Sequence, residues 1–316
     1  MKRALIVGIN DYSWSPLKGC ENDARRMTEV LSRHYDGRLN FNCKMLLSSE
    51  TQITEDRLRK ELTEILNHEG DTALIYFSGH GSLNPVGGSL VTQKGTKYND
   101  GLPIRDLVTM VNRALHIREI VIILDCCYSG QTADSPDLPD DTAQLRKGIS
   151  ILASSLDREY SAEKNGQGLF TSIIAQGLEG AAADLSGQVN TASLYSYVDR
   201  ILGPWDQRPV FKSYVSTLTT LRECEPTLPL SMLRQIASFF ETEDSTHALS
   251  PEYEPTLAPH NPDKERVFAI LQKFNSAGLL RPIQEEHMYY AAKNSTGCAL
   301  TQVGKLYWKL VKNNRL

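Results

Sequence analysis

The sequence predicts an α/β fold, in which a mostly parallel sheet is flanked by helices, with a small C-terminal α+β domain behind it. Uninterrupted apolar runs such as 72–77 and 120–124 are typical of strands that are buried on both faces. These runs alternate with segments of helical length, which favours parallel strands joined by helices. A change of composition after residue 222, where prolines become frequent, predicts the second domain.

Each element follows from a local pattern. The predicted helix at 20–34 begins where Asn22 and Asp23 can cap free backbone N–H groups, and the helix at 54–67 is amphipathic. Gly87 and Gly88 predict a loop between a strand and the next helix. The predicted strands are 4–9, 43–47, 72–77, 120–124, 149–153 and a last one from 209 onward. The remaining predicted helices of this domain are 104–114, 169–178 and 191–202.

Composition excludes several classes of protein. A chain of 316 residues with 41% hydrophobic and 23% charged residues is ordinary for a soluble protein of two domains. The net charge of −4 indicates no strong attraction to nucleic acid or to a membrane, and no apolar stretch of about 18 residues exists. The apolar part of the first segment is too short for a signal peptide. Six cysteines without a C-x-x-C pair suggest reduced thiols and a cytoplasmic location.

Two of the predicted strands end in a reactive residue flanked by glycine. One runs into Ser-Gly-His-Gly at 78–81 and the other into Asp-Cys-Cys-Tyr-Ser-Gly at 125–130. Parallel strands end at the same edge of a sheet, so we expect His80 and Cys127 to lie close together. A cysteine nucleophile and its general base require this arrangement. Backbone N–H groups at Gly81 and Cys127 could then stabilise an oxyanion. A loop histidine and an inert buried thiol are the alternative, which the paired motifs disfavour.

These two motifs resemble the His and Cys motifs of metacaspases and orthocaspases, which are caspase-fold cysteine peptidases. The resemblance covers about residues 1–220 and implies a caspase-like fold. Matched position by position, it makes Cys127 the nucleophile and puts Cys126 where the family often has Ser. Tyr128 stands where the family frequently has His, which leaves the Cys-His dyad intact.

A third segment, Gly-Cys-Glu-Asn-Asp-Ala at 19–24, resembles another element of the same family. The resemblance implies that Cys20, Asp23, Ser78 and Asp125 line the pocket for the residue before the cut bond. Two carboxylates in a narrow pocket repel each other unless a cation joins them, and Arg can pair with a carboxylate bidentately. We therefore expect cleavage after Arg or Lys.

The segment 131–147 follows the Cys motif and is acidic, with two prolines. A solvated surface loop is the simplest interpretation. No cofactor is expected to be required. In calcium-activated relatives, acidic residues near this loop bind Ca²⁺, which implies Asp100 and Asp134 as ligands here, although Ca²⁺ needs six to eight oxygens. Arg146 and Lys147 match the expected pocket, which predicts self-cleavage after one of them.

The C-terminal part divides into a predicted linker, 223–262, with a short helix at 230–240, and a domain at 263–316. A helix at 263–280, a hairpin with arms at 287–292 and 298–301, and a helix at 301–312 resemble a winged helix. From Arg266 onward there are eight basic and two acidic residues, which could suit nucleic acid. No stripe of Arg lies on the expected recognition helix, so a module that docks a regulatory protein fits equally well.

The sequence thus predicts a caspase-like peptidase domain at 1–222 that acts on protein or peptide substrates and processes itself. A role in a bacterial stress or defence response is implied by the family resemblance alone. One alternative is a catalytically silent caspase-fold regulatory or DNA-binding protein, which the intact motifs argue against. The other is a separase-like or gingipain-like peptidase, from which the segment with Cys20 and Asp23 distinguishes this chain.

Overall fold

The computed structural model describes residues 1–84, 87–96, 99–128, 144–154, 166–202 and 209–316. It forms two compact units, one of residues 1–184 and 188–225 and one of residues 185–187 and 226–316. The change of unit at Glu225 and Pro226 lies close to the predicted boundary after residue 222. Residues 226–262 belong to the second unit and are not a linker, because the side chains of Leu233, Ile236 and Phe240 are buried in its hydrophobic core.

The first unit contains the predicted strands and helices, most of them within one to three residues of the predicted bounds. Its strands are β1 (Lys2–Gly8), β2 (Phe41–Leu47), β3 (Gly70–Asn84), β4 (Gly87–Thr96), β5 (Asn99–Pro103), β6 (Ile117–Tyr128), β7 (Ile149–Ala153), β8 (Gln188–Asn190), β9 (Val210–Tyr214) and β10 (Thr220–Glu223). Its helices are α1 (Cys20–Ser32), α2 (Glu55–Asn67), α3 (Ile104–Arg113), α4 (Leu169–Gln176) and α5 (Thr191–Ile201).

The main sheet has the order β2-β1-β3-β6-β7-β9, with parallel pairing except at β9, which is antiparallel to β7. The predicted loop at Gly87 and Gly88 was wrong, because these residues begin β4, which pairs antiparallel with β3 and with β5. Leu90 and Val91 of β4 and Leu102 of β5 are buried in the core, and their burial stabilises this hairpin.

Alternating residues of the central strands face two helical layers, so this α/β unit has a core on each side of its sheet. Helices α2 and α3 cover one face, and α1, α4 and α5 cover the other. From β1 the chain adds β2 on one side and then crosses to place β3 on the other. The carboxyl ends of β1 and β3 therefore lie at a topological switch point, where open α/β sheets form their sites.

The second unit is also α and β. Its helices are α6 (Leu230–Leu233), α7 (Ile236–Phe239), α8 (Pro262–Ser276), α9 (Met288–Lys293) and α10 (Gln302–Lys312). Its strands are β11 (Thr246–Ala248), β12 (Leu280–Pro282) and β13 (Gly297–Leu300), which form an antiparallel sheet of order β11-β13-β12. The single helix predicted at 230–240 is thus two short helices.

The hairpin predicted across 287–301 was wrong. Its first arm is helix α9, in which Met288, Ala291 and Ala292 are buried at the spacing of one helical face. Its second arm, β13, pairs with β11 and β12 instead. The two-stranded wing of a winged helix is therefore not formed by these residues. Across the described residues, no helix combines the length and the apolar character needed to cross a bilayer.

Candidate active site

The expected base and nucleophile lie side by side at the centre of the main sheet. In the parallel register of β3 and β6, His80 is paired with Cys127 and Ser78 with Asp125. Neighbouring strands lie about 4.8 Å apart, so the two backbones approach as closely as a sheet allows. Gly8, the last residue of β1, pairs with Ser78 on the other side of β3. The residues of the site therefore lie where the parallel pairing of β1, β3 and β6 ends.

The loop after β1 fixes the imidazole of His80. Its Nε2 atom lies 2.7 Å from the carbonyl oxygen of Ser15. A carbonyl oxygen can only accept, so Nε2 carries the proton and Nδ1 of the neutral ring is left as an acceptor. The indole ring of Trp14 stacks on the imidazole, with 4.7 Å between the ring centroids, and the ring centroid of Tyr12 lies 4.6 Å from that of the imidazole. Burial lowers the pKa of His80, opposed by the bond to Ser15, so the ring is neutral at pH 7.

Tyr12 also explains a glycine of the His motif. The backbone N–H of His80 donates to the Tyr12 hydroxyl oxygen at 3.0 Å, and that hydroxyl donates to the carbonyl of Val91 at 3.1 Å. A Cβ atom at position 79 would lie 2.5 Å from the same hydroxyl oxygen. Gly79 is therefore required because the Tyr12 hydroxyl passes directly over it.

The four residues expected to line the specificity pocket come from the same edge of the sheet. Cys20 is the first residue of α1, and both it and Asp23 are buried. The Ser78 hydroxyl donates to Oδ2 of Asp23 at 3.3 Å, and Ser78 is the register neighbour of Asp125. The carboxyl groups of Asp23 and Asp125 both lie within 3 Å of the point where a Cβ of Gly168 would be.

The start of α4 contacts both carboxylates. The N–H of Gly168 donates to Asp23 at 2.9 Å, while the N–H and the hydroxyl of Thr171 donate to Oδ2 of Asp125 at 3.2 and 2.5 Å. The N-terminus of a helix carries partial positive charge, which favours carboxylates there. Burial raises the pKa of Asp125, and the two bonds from Thr171 oppose that rise.

Gly81, the expected oxyanion donor next to His80, lies in β3 opposite Tyr128 and is buried. Its role, like that of the Cys127 backbone, stays a prediction. Asp100 lies in β5, whereas Asp134 is outside the described residues. Among the residues that the structure describes, no group of three His, Cys, Asp or Glu side chains could hold a metal ion. Calcium binding therefore stays a prediction without a ligand set.

The two expected cut sites are held in place. The guanidinium of Arg146 donates to the carbonyl oxygens of Ala114 at 2.8 Å and Ile117 at 2.9 Å, next to the end of α3. Lys147 is exposed, but the next N–H, that of Gly148, donates to the carbonyl of Tyr214 at 2.6 Å. Proteases cut exposed loop segments that are loosely held. Cleavage after either residue therefore requires local opening of this turn.

Sequence reasoning missed Tyr12, Trp14 and Ser15, which hold His80, and Gly168 and Thr171, which hold the carboxylates. The first three could have been found, because an aromatic loop directly after β1 reaches the same sheet edge as His80. Thr171 gives no local signal, since a Thr in the first turn of a helix is common.

The family model described as "Caspase domain" (peptidase C14) matches residues 1–220. Metacaspase-6 of Arabidopsis thaliana is 31% identical over 51% of this chain and 47% of its own length. Metacaspase-4 of the same plant is 27% identical over 57% of this chain and 44% of its own length. The chain thus spans about half the length of these relatives.

A solved structure agrees with the fold. The crystal structure of a protein from Geobacter sulfurreducens matches with a TM-score of 0.52 and 16% identity. The match covers 71% of this chain and 99% of that protein. At this identity the likeness concerns the fold alone.

Proposed function

Because this chain belongs to the caspase domain family, we propose that it is a cysteine endopeptidase that cuts proteins or peptides after Arg or Lys. The observation that carries the proposal is the pairing of His80 with Cys127 in adjacent parallel strands, with two carboxylates at the same edge. Cys127 is the nucleophile and His80 is the base.

The chemistry follows from the tautomer of His80. Nδ1 of the neutral ring accepts the thiol proton of Cys127, and the thiolate sulfur attacks the substrate carbonyl carbon. Backbone N–H groups of Gly81 and Cys127 stabilise the resulting oxyanion. When the C–N bond breaks, His80 returns the proton to the leaving amine, and a water molecule then hydrolyses the thioester. The bond from Nε2 to the Ser15 carbonyl keeps the ring oriented throughout.

Specificity for a basic residue rests on Asp23 and Asp125. Their carboxyl groups converge beside Gly168, where a guanidinium or an ammonium group would relieve their mutual repulsion. If either carboxylate is removed, the cationic side chain of the substrate keeps only one of its two negatively charged partners. For Asp125→Ala or Asp23→Ala we expect about 30-fold or greater loss of cleavage after Arg, since breaking a buried charge pair costs about 2–5 kcal/mol.

Fluorogenic peptides ending in Arg, Lys or Asp test the proposal directly. The wild-type protein should cleave the Arg and Lys peptides, Cys127→Ala should be inactive, and His80→Ala should lose activity by orders of magnitude. Cys126→Ser is the matched control, and it should retain activity because Ser often occupies that position in the family. Preference for the Asp peptide would overturn the specificity, and an active Cys127→Ala would overturn the choice of nucleophile.

Self-processing and calcium dependence belong to the same proposal and have their own tests. Fragments of the wild-type protein, mapped by mass spectrometry against Cys127→Ala, should end at Arg146 or Lys147 if the turn opens. Activity before and after chelation with EGTA tests calcium. A role in stress or defence and a cytoplasmic location remain predictions.

For the second unit we propose docking of a regulatory protein in preference to nucleic acid. Part of its basic surplus is already paired, because Lys305 contacts Asp244 and Lys309 lies 2.7 Å from Glu243. Both acidic residues belong to the same unit. Tight, salt-dependent binding of the intact protein to duplex DNA would contradict this proposal.

A further inference from the structure

A chain of buried hydroxyl groups lies behind the two carboxylates of the proposed pocket. The hydroxyl oxygens of Tyr76 and Thr171 are 2.5 Å apart, and the Thr171 hydroxyl donates to Oδ2 of Asp125. The Ser78 hydroxyl, two residues further along β3, donates to Oδ2 of Asp23 at 3.3 Å. Tyr76 is fully buried and Thr171 is 1% exposed, so these hydroxyl groups have no access to bulk water.

The direction of the bonds follows from counting protons. A charged carboxylate can only accept, so Thr171 donates its single hydroxyl proton to Asp125. Tyr76 must then donate to the oxygen of Thr171. Burial, with the nearby charges of Asp125 and Asp23, raises the pKa of Tyr76 well above 10.0, so its proton is always present. Both hydrogen bonds, from Tyr76 to Thr171 and from Thr171 to Asp125, therefore depend on the hydroxyl group of Thr171, and the first also depends on that of Tyr76.

We propose that Tyr76 and Thr171 are positioning residues for specificity, whose hydroxyl groups hold Asp125 aimed at the cationic side chain of the substrate. Neither residue touches the substrate. Oδ2 of Asp125, which accepts from Thr171, is also the oxygen nearest the point beside Gly168 where the two carboxyl groups converge. This inference rests on the proposed cleavage after Arg or Lys and adds the residues that make it efficient.

Three variants of α4 form the test. Thr171→Val keeps the shape and removes the hydroxyl group, Thr171→Ser restores that group, and Ser172→Ala removes the neighbouring hydroxyl, which contacts Gln176 instead. Thr171→Val should raise KM for an Arg peptide by about ten- to a hundredfold with little change in kcat, since a hydrogen bond to a charged group contributes about 1.5–3 kcal/mol. Thr171→Ser and Ser172→Ala should resemble the wild type.

The pH profile separates positioning from mere packing. The titratable groups that face Asp125 from the described elements around it are Asp23 of α1 and Tyr76 of β3, while α4 contributes the neutral donors of Gly168 and Thr171. Loss of the Thr171 hydroxyl removes a bond that favours the charged form of Asp125. The acidic limb of kcat/KM for the Arg peptide should therefore move to higher pH in Thr171→Val and return in Thr171→Ser.

Tyr76→Phe tests the next link in the chain and remains informative if Thr171→Val does not fold, which its melting curve would reveal. It should raise KM for the Arg peptide by about threefold, because only a neutral hydrogen bond is lost. Unchanged KM and pH profile in both variants, with a wild type that cleaves after Arg, would overturn the inference and leave the proposed function standing. A wild type that ignores Arg and Lys peptides would overturn both.

Discussion

Gly79→Ala tests whether the Tyr12 hydroxyl is the contact that requires glycine in the His motif. The new methyl group would lie 2.5 Å from that hydroxyl oxygen and 3.0 Å from the edge of the Phe77 ring. Tyr12 must move, which breaks its bonds to the His80 N–H and the Val91 carbonyl. Two such bonds contribute about 0.5–1.5 kcal/mol each, and overpacking of a core adds about 1–3 kcal/mol.

We therefore expect Gly79→Ala to lower the free energy of unfolding by about 2–6 kcal/mol, a large part of a typical total of about 5–15 kcal/mol. Urea unfolding in the Cys127→Ala background measures this without self-cleavage. In a Tyr12→Phe background the clash with the hydroxyl oxygen is gone, so Gly79→Ala should cost at least about 1 kcal/mol less, beyond the ~0.5 kcal/mol error of additivity. Equal costs in the two backgrounds would refute the reasoning, because the Phe77 contact would then account for the whole effect.

Three further predictions concern other contacts around the site. Trp14→Ala uncovers the imidazole of His80, so the pKa of His80 should rise and the acidic limb of its pH–rate profile should move to higher pH; an unmoved limb would contradict the role of burial. Arg146→Ala should lower the free energy of unfolding by about 1.5–3 kcal/mol, because its charged bonds to carbonyl oxygens are lost, whereas the exposed Lys147→Ala should change it by less than about 0.5 kcal/mol. Glu21 is buried, yet bonds from Ser48 and Ser49 outweigh burial and lower its pKa below the ordinary 4.5. A depressed pKa stabilises the fold above the ordinary value, so the advantage of the wild type over Glu21→Gln in urea unfolding should be full at pH 7 and shrink below pH 4.5.

The central strands could be predicted because burial on both faces leaves a mark in the sequence itself. The apolar runs before His80 and Cys127 have no polar alternation, and glycines mark where each run reaches the site. The strands β4 and β5 leave no such mark, since their buried residues are few and are spaced among Gly, Lys and Thr. Their pairing is decided by contact between strands, of β4 with β3 and of β5 with β4, which a local pattern cannot express.

The incorrect prediction of a hairpin in the second unit came from residues that are typical of turns. Lys-Asn-Ser-Thr-Gly at 293–297 suggests the turn of a hairpin, but here it ends helix α9, with Ser295 in the left-handed region at φ 55°. Such residues end helices as readily as they join strands. The contacts of Thr171 with Asp125 were beyond prediction for a different reason. They join residues far apart in the chain, and only the packing of α4 against the sheet brings them together.

Gly168, the N-cap of helix α4, offers no capping side chain, and the N–H groups of Gly168 and Thr171 donate instead to Asp23 and Asp125. The acidic pair therefore serves folding as well as recognition. Replacing either aspartate, so that a neutral or acidic substrate is accepted, would leave one of these two N–H groups without its carboxylate partner. Evolution of a new preference on this scaffold would consequently need a compensating change near residue 168, such as a new N-cap, before the altered pocket could be tolerated.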